Sequence, residues 1–206
     1  MTAHLAYAAA WAVFGLVHSL LARDILKRRL RPWLGRGYRL AYNGVALCSF
    51  LAVGWVGRLT LGQFPAFDLG MAAMVLAVVH LSGWGIMVWG LAHTDRGRLL
   101  GLTQWRDPDA GDDGPLAIAG PYRWTRHPLY LGGHLLLWGL AVSPLGLSTA
   151  IWGSLYLIVG AVLEERSLSR RYGESYARYR ARVPFLVPWR GCAWPPPSLP
   201  DARPHP

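Results

Sequence analysis

The sequence predicts an all-α protein, a polytopic bundle of about five transmembrane helices with a cytoplasmic C-terminal amphipathic helix. Three observations lead there. Of 206 residues, 53% are hydrophobic and only 16% charged, against about 25% charged in ordinary soluble domains. The apolar residues gather into five runs. The 21 Lys and Arg residues fall into blocks between those runs. The net charge of +10 therefore reads as membrane-surface patterning and not as a nucleic-acid face. Eleven Trp residues add to this reading, since Trp collects at bilayer interfaces.

The first run covers residues 5–22. It follows "MTAHLAYAAA", which has no basic leader and no evident cleavage pattern, so it reads as a membrane helix and not a removed signal. Residues 40–57 and 71–92 also reach the roughly 17–25 residues that span a bilayer. The fourth run, 129–144, is marginal, and only "PLG" separates it from the fifth, 146–163. Those two are expected to form a tight hairpin, with Gly132, Gly133, Gly153 and Gly160 permitting close packing.

Topology follows from the basic residues. The first loop carries seven Lys and Arg, residues 58–70 one, residues 93–128 five, the hairpin turn none, and the chain after residue 163 eight. High and low counts alternate, so the positive-inside rule puts the N-terminus outside and the C-terminus in the cytoplasm. A bacterial inner membrane is the expected location. The first loop reads as an interfacial stretch gripping anionic lipid. Residues 1–190 are expected to form one membrane-embedded domain, with residues 191–206 a Pro-rich disordered tail. Cys48 and Cys192 have no spacing that suggests a metal site or disulfide framework.

Two segments on the cytoplasmic face carry chemistry. In "GPYRWTRHPLY", Pro128 suits the first position of a helix. The free N–H groups of that first turn attract anions, carboxylates included, and Arg126 and His127 would reinforce the preference. In "LEERSLSRRYGESYARYRARVP", Glu164 and Glu165 stand at the expected end of the fifth helix, where acids oppose the helix dipole. A cationic ligand or Arg partners from the loops would then have to favour them. From Glu164 to Arg182 the chain reads as an amphipathic helix with Leu168, Tyr172, Tyr176 and Tyr179 at helical spacing. An anion site, a cation site and nearby aromatics (Tyr122, Trp124, Tyr130, Tyr172, Tyr176) on one face would suit a zwitterionic amino acid attached to a sulfonium and an adenine ring. S-adenosylmethionine has that chemistry.

"GPYRWTRHPLYLGG" followed by "EERSLSRRYGESYARYRARVPFLVP" resembles the catalytic half of the integral membrane methyltransferases, which include isoprenylcysteine carboxyl methyltransferase and the phospholipid methyltransferases. The resemblance covers residues 120–188. A weaker one, in "GLVHSLLARDILKRRLRPWLGRGYRLAYN" and "HTDRGRLLGLTQW", is to the bacterial NnrU-like and methanethiol S-methyltransferase branch. It implies an S-adenosylmethionine pocket lined by Tyr122, Arg126, His127, Pro128 and Tyr130, with Gln104 a further contact. Glu164 and Glu165 would hold the cofactor's amino group or position substrate. The catalytic half would be residues 93–188, and the chain would be a methyltransferase acting on a thiol, an isoprenylcysteine-like carboxylate or a lipid amine. Being shorter than the isoprenylcysteine enzymes, it departs from them over a prenyl-protein substrate. No G-x-G-x-x-G or P-loop is present, which argues against a Rossmann domain.

In-line methyl transfer asks the protein mainly for alignment and exclusion of water. A thiol acceptor must also lose its proton. His18, His80 and His134 lie in or near apolar runs and are candidates for a base or substrate contact. His134, one to two turns beyond the cofactor motif, is taken with Glu165 as the catalytic pair. A different reading makes the same histidines haem or metal ligands of an NnrU-like redox or transport protein.

Overall fold

The computed structural model describes residues 2–107, 110 and 114–192. The described residues are helical with irregular connections and contain no strand. Eight α-helices follow in order: α1 (Thr2–Leu21), α2 (Asp24–Leu34), α3 (Tyr38–Thr60), α4 (Met71–Ala92), α5 (Arg96–Leu100), α6 (Leu102–Arg106), α7 (Pro128–Gly139) and α8 (Pro144–Arg182). Helix α1 packs on α3 and α8, α8 on α7, and α7 on α4. This order puts α7, which carries the "RHP" segment, between α4 and α8.

Large apolar side chains point outward along these helices. Met71, Val78 and Leu81 of α4 are each more than 60% exposed, which suits a lipid solvent and would be an aggregation hazard in water. The interior is aromatic and small instead. Tyr7, Trp11 and Phe14 of α1 bury against Val53 of α3 and Leu61. Between α4 and α7 the backbones nearly touch. A Cβ on Gly83 would lie 2.7 Å from the Leu136 nitrogen and 2.9 Å from the Gly132 oxygen. The hairpin glycines divide between two partners. Gly132 faces α4, whereas Gly133 meets Leu157, Gly153 meets Leu137 and Gly160 meets Tyr130 across the α7–α8 contact.

Four helical stretches are long and apolar enough to cross a membrane: Thr2–Leu21, Ile25–Thr60, Met71–Ala92 and Pro144–Arg182. Helix α7 is not among them. At 12 residues it is only about 18 Å long, well short of the roughly 30 Å hydrocarbon core. It stops because Ser143 caps the next helix, its side chain accepting from the Gly146 N–H at 3.1 Å, with Pro144 at the first helical position. The expected break at Glu164 is absent. Helix α8 runs on through the acids, and its irregularity falls at Gly173 (φ 50°, ψ −124°), a conformation that favours glycine. The two acids are therefore mid-helix, and the dipole argument made for a helix end does not apply to them. Around and beyond Gly173, Tyr172, Tyr176, Tyr179 and the following Val183 pack against Leu116, Ile118 and Leu168. The expected Pro-rich tail lies, from residue 193 onward, outside the described residues.

Candidate active site

The loop before α7 and the end of α8 meet at Glu165. This carboxylate is buried, and four side chains converge on it. Arg126 donates from Nε to Oε1 at 2.7 Å and from Nη2 to Oε2 at 3.2 Å. His127 Nε2 donates to Oε1 at 3.0 Å, and the Tyr176 hydroxyl at 2.5 Å. Arg180 adds its Nε at 3.5 Å from Oε2. The same Arg126 ties the chain that follows α8. Its Nη1 donates to the carbonyls of Val183 (2.6 Å) and Arg180 (3.2 Å), and its backbone N–H to Pro184 O (2.9 Å). Thr125 Oγ1 donates to Phe185 O at 3.1 Å. The His127 ring stands edge-on to Phe185 and Tyr130, with centroids 5.0 and 5.4 Å away. The Tyr179 hydroxyl donates to Tyr122 O at 2.7 Å, and Tyr122 in turn pairs with Thr94 at the end of α4.

The apolar run of α8 ends at residue 163, two positions before Glu165. Burial alone would raise its pKa. The bonds from His127, Arg126 and Tyr176 outweigh that and hold it at about 2, below the ordinary 4.5. Tyr176 is pushed the other way, first by burial and then by its bond to the carboxylate. Burial likewise raises Tyr179.

Sequence reasoning set Arg126 and His127 at one end of a ligand and the two acids at the other. In the structure Arg126, His127 and Glu165 bind one another. Glu164, the next residue along α8, is exposed, and no cation among the described residues pairs with it. The Tyr130 hydroxyl faces Glu164, and Tyr122 lies within its electrostatic reach. Pro128 is buried at the start of α7, whose N-terminal turn has no side-chain cap. Tyr130 also approaches Tyr156 of α8 and Tyr42 of α3, two residues the sequence reading did not single out. Tyr42 was hidden in an apolar run, and nothing in its spacing marks it.

His134 sits one turn further along α7, on the Tyr130 side. Its Nδ1 donates to the Tyr130 carbonyl at 2.7 Å, and its Nε2 is buried without a partner. Since Nδ1 must carry the proton to donate, Nε2 of the neutral ring offers a lone pair. The other two histidines are engaged elsewhere. His80 Nδ1 donates to Leu136 O at 3.0 Å, and its Nε2 accepts from Trp84, which pins α4 to α7. His18 Nε2 bonds the Tyr42 hydroxyl at 2.6 Å. Among the described residues no three His, Cys, Asp or Glu side chains gather to hold a metal. Gln104 of α6 faces residues of α2 and α3, on a different wall from the Glu165 cluster.

Fold and motifs together place the chain in the class of integral membrane methyltransferases. It belongs to the phospholipid methyltransferase family, which matches residues 69–175, from the start of α4 through Gly173. Its relatives carry a narrower name. It is 30% identical over 87% of its length to methanethiol S-methyltransferase 1 of Bradyrhizobium diazoefficiens and 32% identical over 86% to methanethiol S-methyltransferase 2 of the same organism. It is 30% identical over 86% to the methanethiol S-methyltransferase of Mycobacterium tuberculosis. The chain spans 65%, 70% and 75% of those three proteins. No solved structure matches it.

Proposed function

We propose that the protein methylates a small thiol with S-adenosylmethionine, beside the start of α7 and Glu164 of α8 at the cytoplasmic face, with its N-terminus outside. His134 is the observation that sets a carboxylate acceptor aside, and the relatives' names decide between a thiol and an amine, which must also shed a proton. A buried lone pair with no donor suits a group that must give up a proton, as a thiol must. A carboxylate acceptor would need no such base. The names of the relatives point the same way, and the alternating basic loops support the orientation.

The residues present fit the cofactor. Glu164 has no described cation partner and can receive an ammonium, and the uncapped start of α7 beside Pro128 favours a carboxylate. Tyr122 and Tyr130 flank both. When bound, S-adenosylmethionine supplies an electrophilic methyl group on a sulfonium. His134 Nε2 would take the thiol proton and leave a thiolate aligned to receive that methyl group. Arg126, His127 and Glu165 act here as positioning residues. They fix the turn before α7 against the end of α8.

The test is transfer of labelled methyl to small thiols, phospholipid amines and prenylcysteine analogues by the purified full chain. The thiols are expected to be methylated. His134→Ala should cost about 10²–10⁴-fold in rate, the range of a general base, while S-adenosylhomocysteine still binds. Methylation of amines or carboxylates in place of thiols would refute the proposal, as would a His134→Ala enzyme at full rate.

A further inference from the structure

The first loop holds a second site that the methyl-transfer reading does not use. A cavity of about 200 Å³ lies between α2, the turn at Gly35–Gly37 and α6, lined by Lys27, Arg31, Arg36, Arg39, Tyr38 and Gln104. Among the described residues no carboxylate forms an ion pair with Arg31, Arg36 or Arg39. Arg31, Arg36 and Arg39, so gathered, repel one another until an anion enters. Gln104 is only 6% exposed. Its Nε2 donates to Arg98 O at 3.4 Å, and its Oε1 is buried without a donor. Turning the amide over would set oxygen against oxygen at Arg98, so the unmet atom is the acceptor. The cavity thus asks for an anion with a hydrogen-bond donor close by.

The setting selects the ligand. Helix α2 is amphipathic, and its Ile25, Trp33 and Leu34 are 63%, 88% and 42% exposed. A helix with that face and a basic opposite face lies in the membrane interface, so the cavity opens at headgroup depth. A zwitterionic amino acid head would bring its ammonium in among four cations, with one neutral amide to receive it. A nucleic acid would have to meet the bare Trp33 and Ile25. We infer that this cavity is a headgroup site for an anionic phospholipid of the phosphatidylglycerol kind, its phosphate held by Arg31, Arg36 and Arg39 and a headgroup hydroxyl donating to Gln104 Oε1. The inference stands apart from the choice of methyl acceptor.

The full chain is reconstituted in nanodiscs of equal phosphatidylglycerol and phosphatidylcholine, transferred to detergent, and its retained lipid counted by native mass spectrometry. Phosphatidylglycerol should be retained in preference to phosphatidylcholine. Arg31→Gln with Arg36→Gln should lower its retention roughly 30-fold, two contacts at the strength of a juxtamembrane basic residue. Arg28→Gln with Arg29→Gln removes equal charge from exposed positions on the same helix and should change retention less than about threefold, because detergent abolishes diffuse attraction to a charged bilayer. Gln104→Met should weaken retention of phosphatidylglycerol but not of phosphatidic acid, which lacks the headgroup hydroxyl. Equal retention of both lipids by the wild type would overturn the inference. So would equal losses in the two double variants, or displacement of the lipid by S-adenosylhomocysteine, which would mark the cavity as the cofactor's.

Discussion

Replacing Glu165 with glutamine keeps the size of the side chain and removes its charge. One of its two acceptor oxygens becomes an NH2 group facing donors. The carboxylate now accepts from Arg126 twice, from His127 and from Tyr176, at 2.5–3.2 Å. The side chains of Arg126 and Glu165 are 9% and 10% exposed, so solvent does little to screen the loss. Removing one partner of a buried pair strands the other charge, which costs about 3–5 kcal/mol. The cost should fall on the chain after Gly173, because Arg126 also holds Arg180, Val183 and Pro184. Hydrogen exchange in detergent reads this directly. At about 1.4 kcal/mol per tenfold, protection of the Val183 and Arg126 amides should fall by at least about 10²-fold. Glu174→Gln on the same segment is the contrast. Its partner Arg178 and Glu174 itself are 48% and 81% exposed, and such surface pairs contribute about 0–1 kcal/mol. Tail protection within threefold of wild type in Glu165→Gln would refute the reasoning. So would a loss spread evenly over α1, α3 and α4, since that would mean global destabilisation and not release of a clamp.

Two further outcomes follow from the same geometry. A carboxylate held at about 2 against its ordinary 4.5 contributes stability that is complete above pH 4.5 and is lost as pH falls toward 2; tail protection, corrected for intrinsic exchange, should be flat above pH 5 and drop below 4.5, and a Glu165→Gln chain should lack the drop. Gly83→Ala puts a methyl group 2.7 Å from the Leu136 nitrogen, while Gly85→Ala meets nothing within 4 Å; thermal unfolding in detergent should show the first destabilised by about 1–3 kcal/mol and the second unchanged or slightly more stable.

The membrane helices α1, α3 and α4 could be read from the sequence because each is an apolar run of bilayer length between basic blocks. Hydropathy marks the fourth run as marginal, but a run of apolar residues does not say where the helix within it stops. Ser143 and Pro144 start a new helix there, and a capping signal in an apolar context is easily passed over. Glu164 and Glu165 misled for a related reason. Two acids after an apolar run look like an end, yet Leu168 and Tyr172 continue the same helical spacing, and Gly173 was the true break. The partnership of Arg126 with Glu165 joins residues 39 positions apart. Sequence offered loop arginines as one possible answer to the acids, and the fold chose between that and a ligand. The proton position on His134 depends on a backbone carbonyl at Tyr130, which no side-chain pattern encodes.

The adjacent acids on α8 divide their work because successive residues of a helix point about 100° apart. Glu165 turns inward and meets Arg126 Nε and Nη2 and His127 Nε2, while Glu164 stays at the surface beside Tyr130. The inward position needs arginine at 126 in particular. The guanidinium reaches two carboxylate oxygens with one edge and two carbonyl oxygens with Nη1, a planar fork that a lysine ammonium cannot reproduce. An Arg126→Lys substitution would keep the charge and the backbone bond to Pro184, but the carbonyls of Arg180 and Val183 would lose their side-chain tie to the turn that starts α7. The basic cluster at the mouth of that helix therefore orders the protein first, and it is Glu164, the opening of α7 and His134 to which the proposed function assigns the ligands.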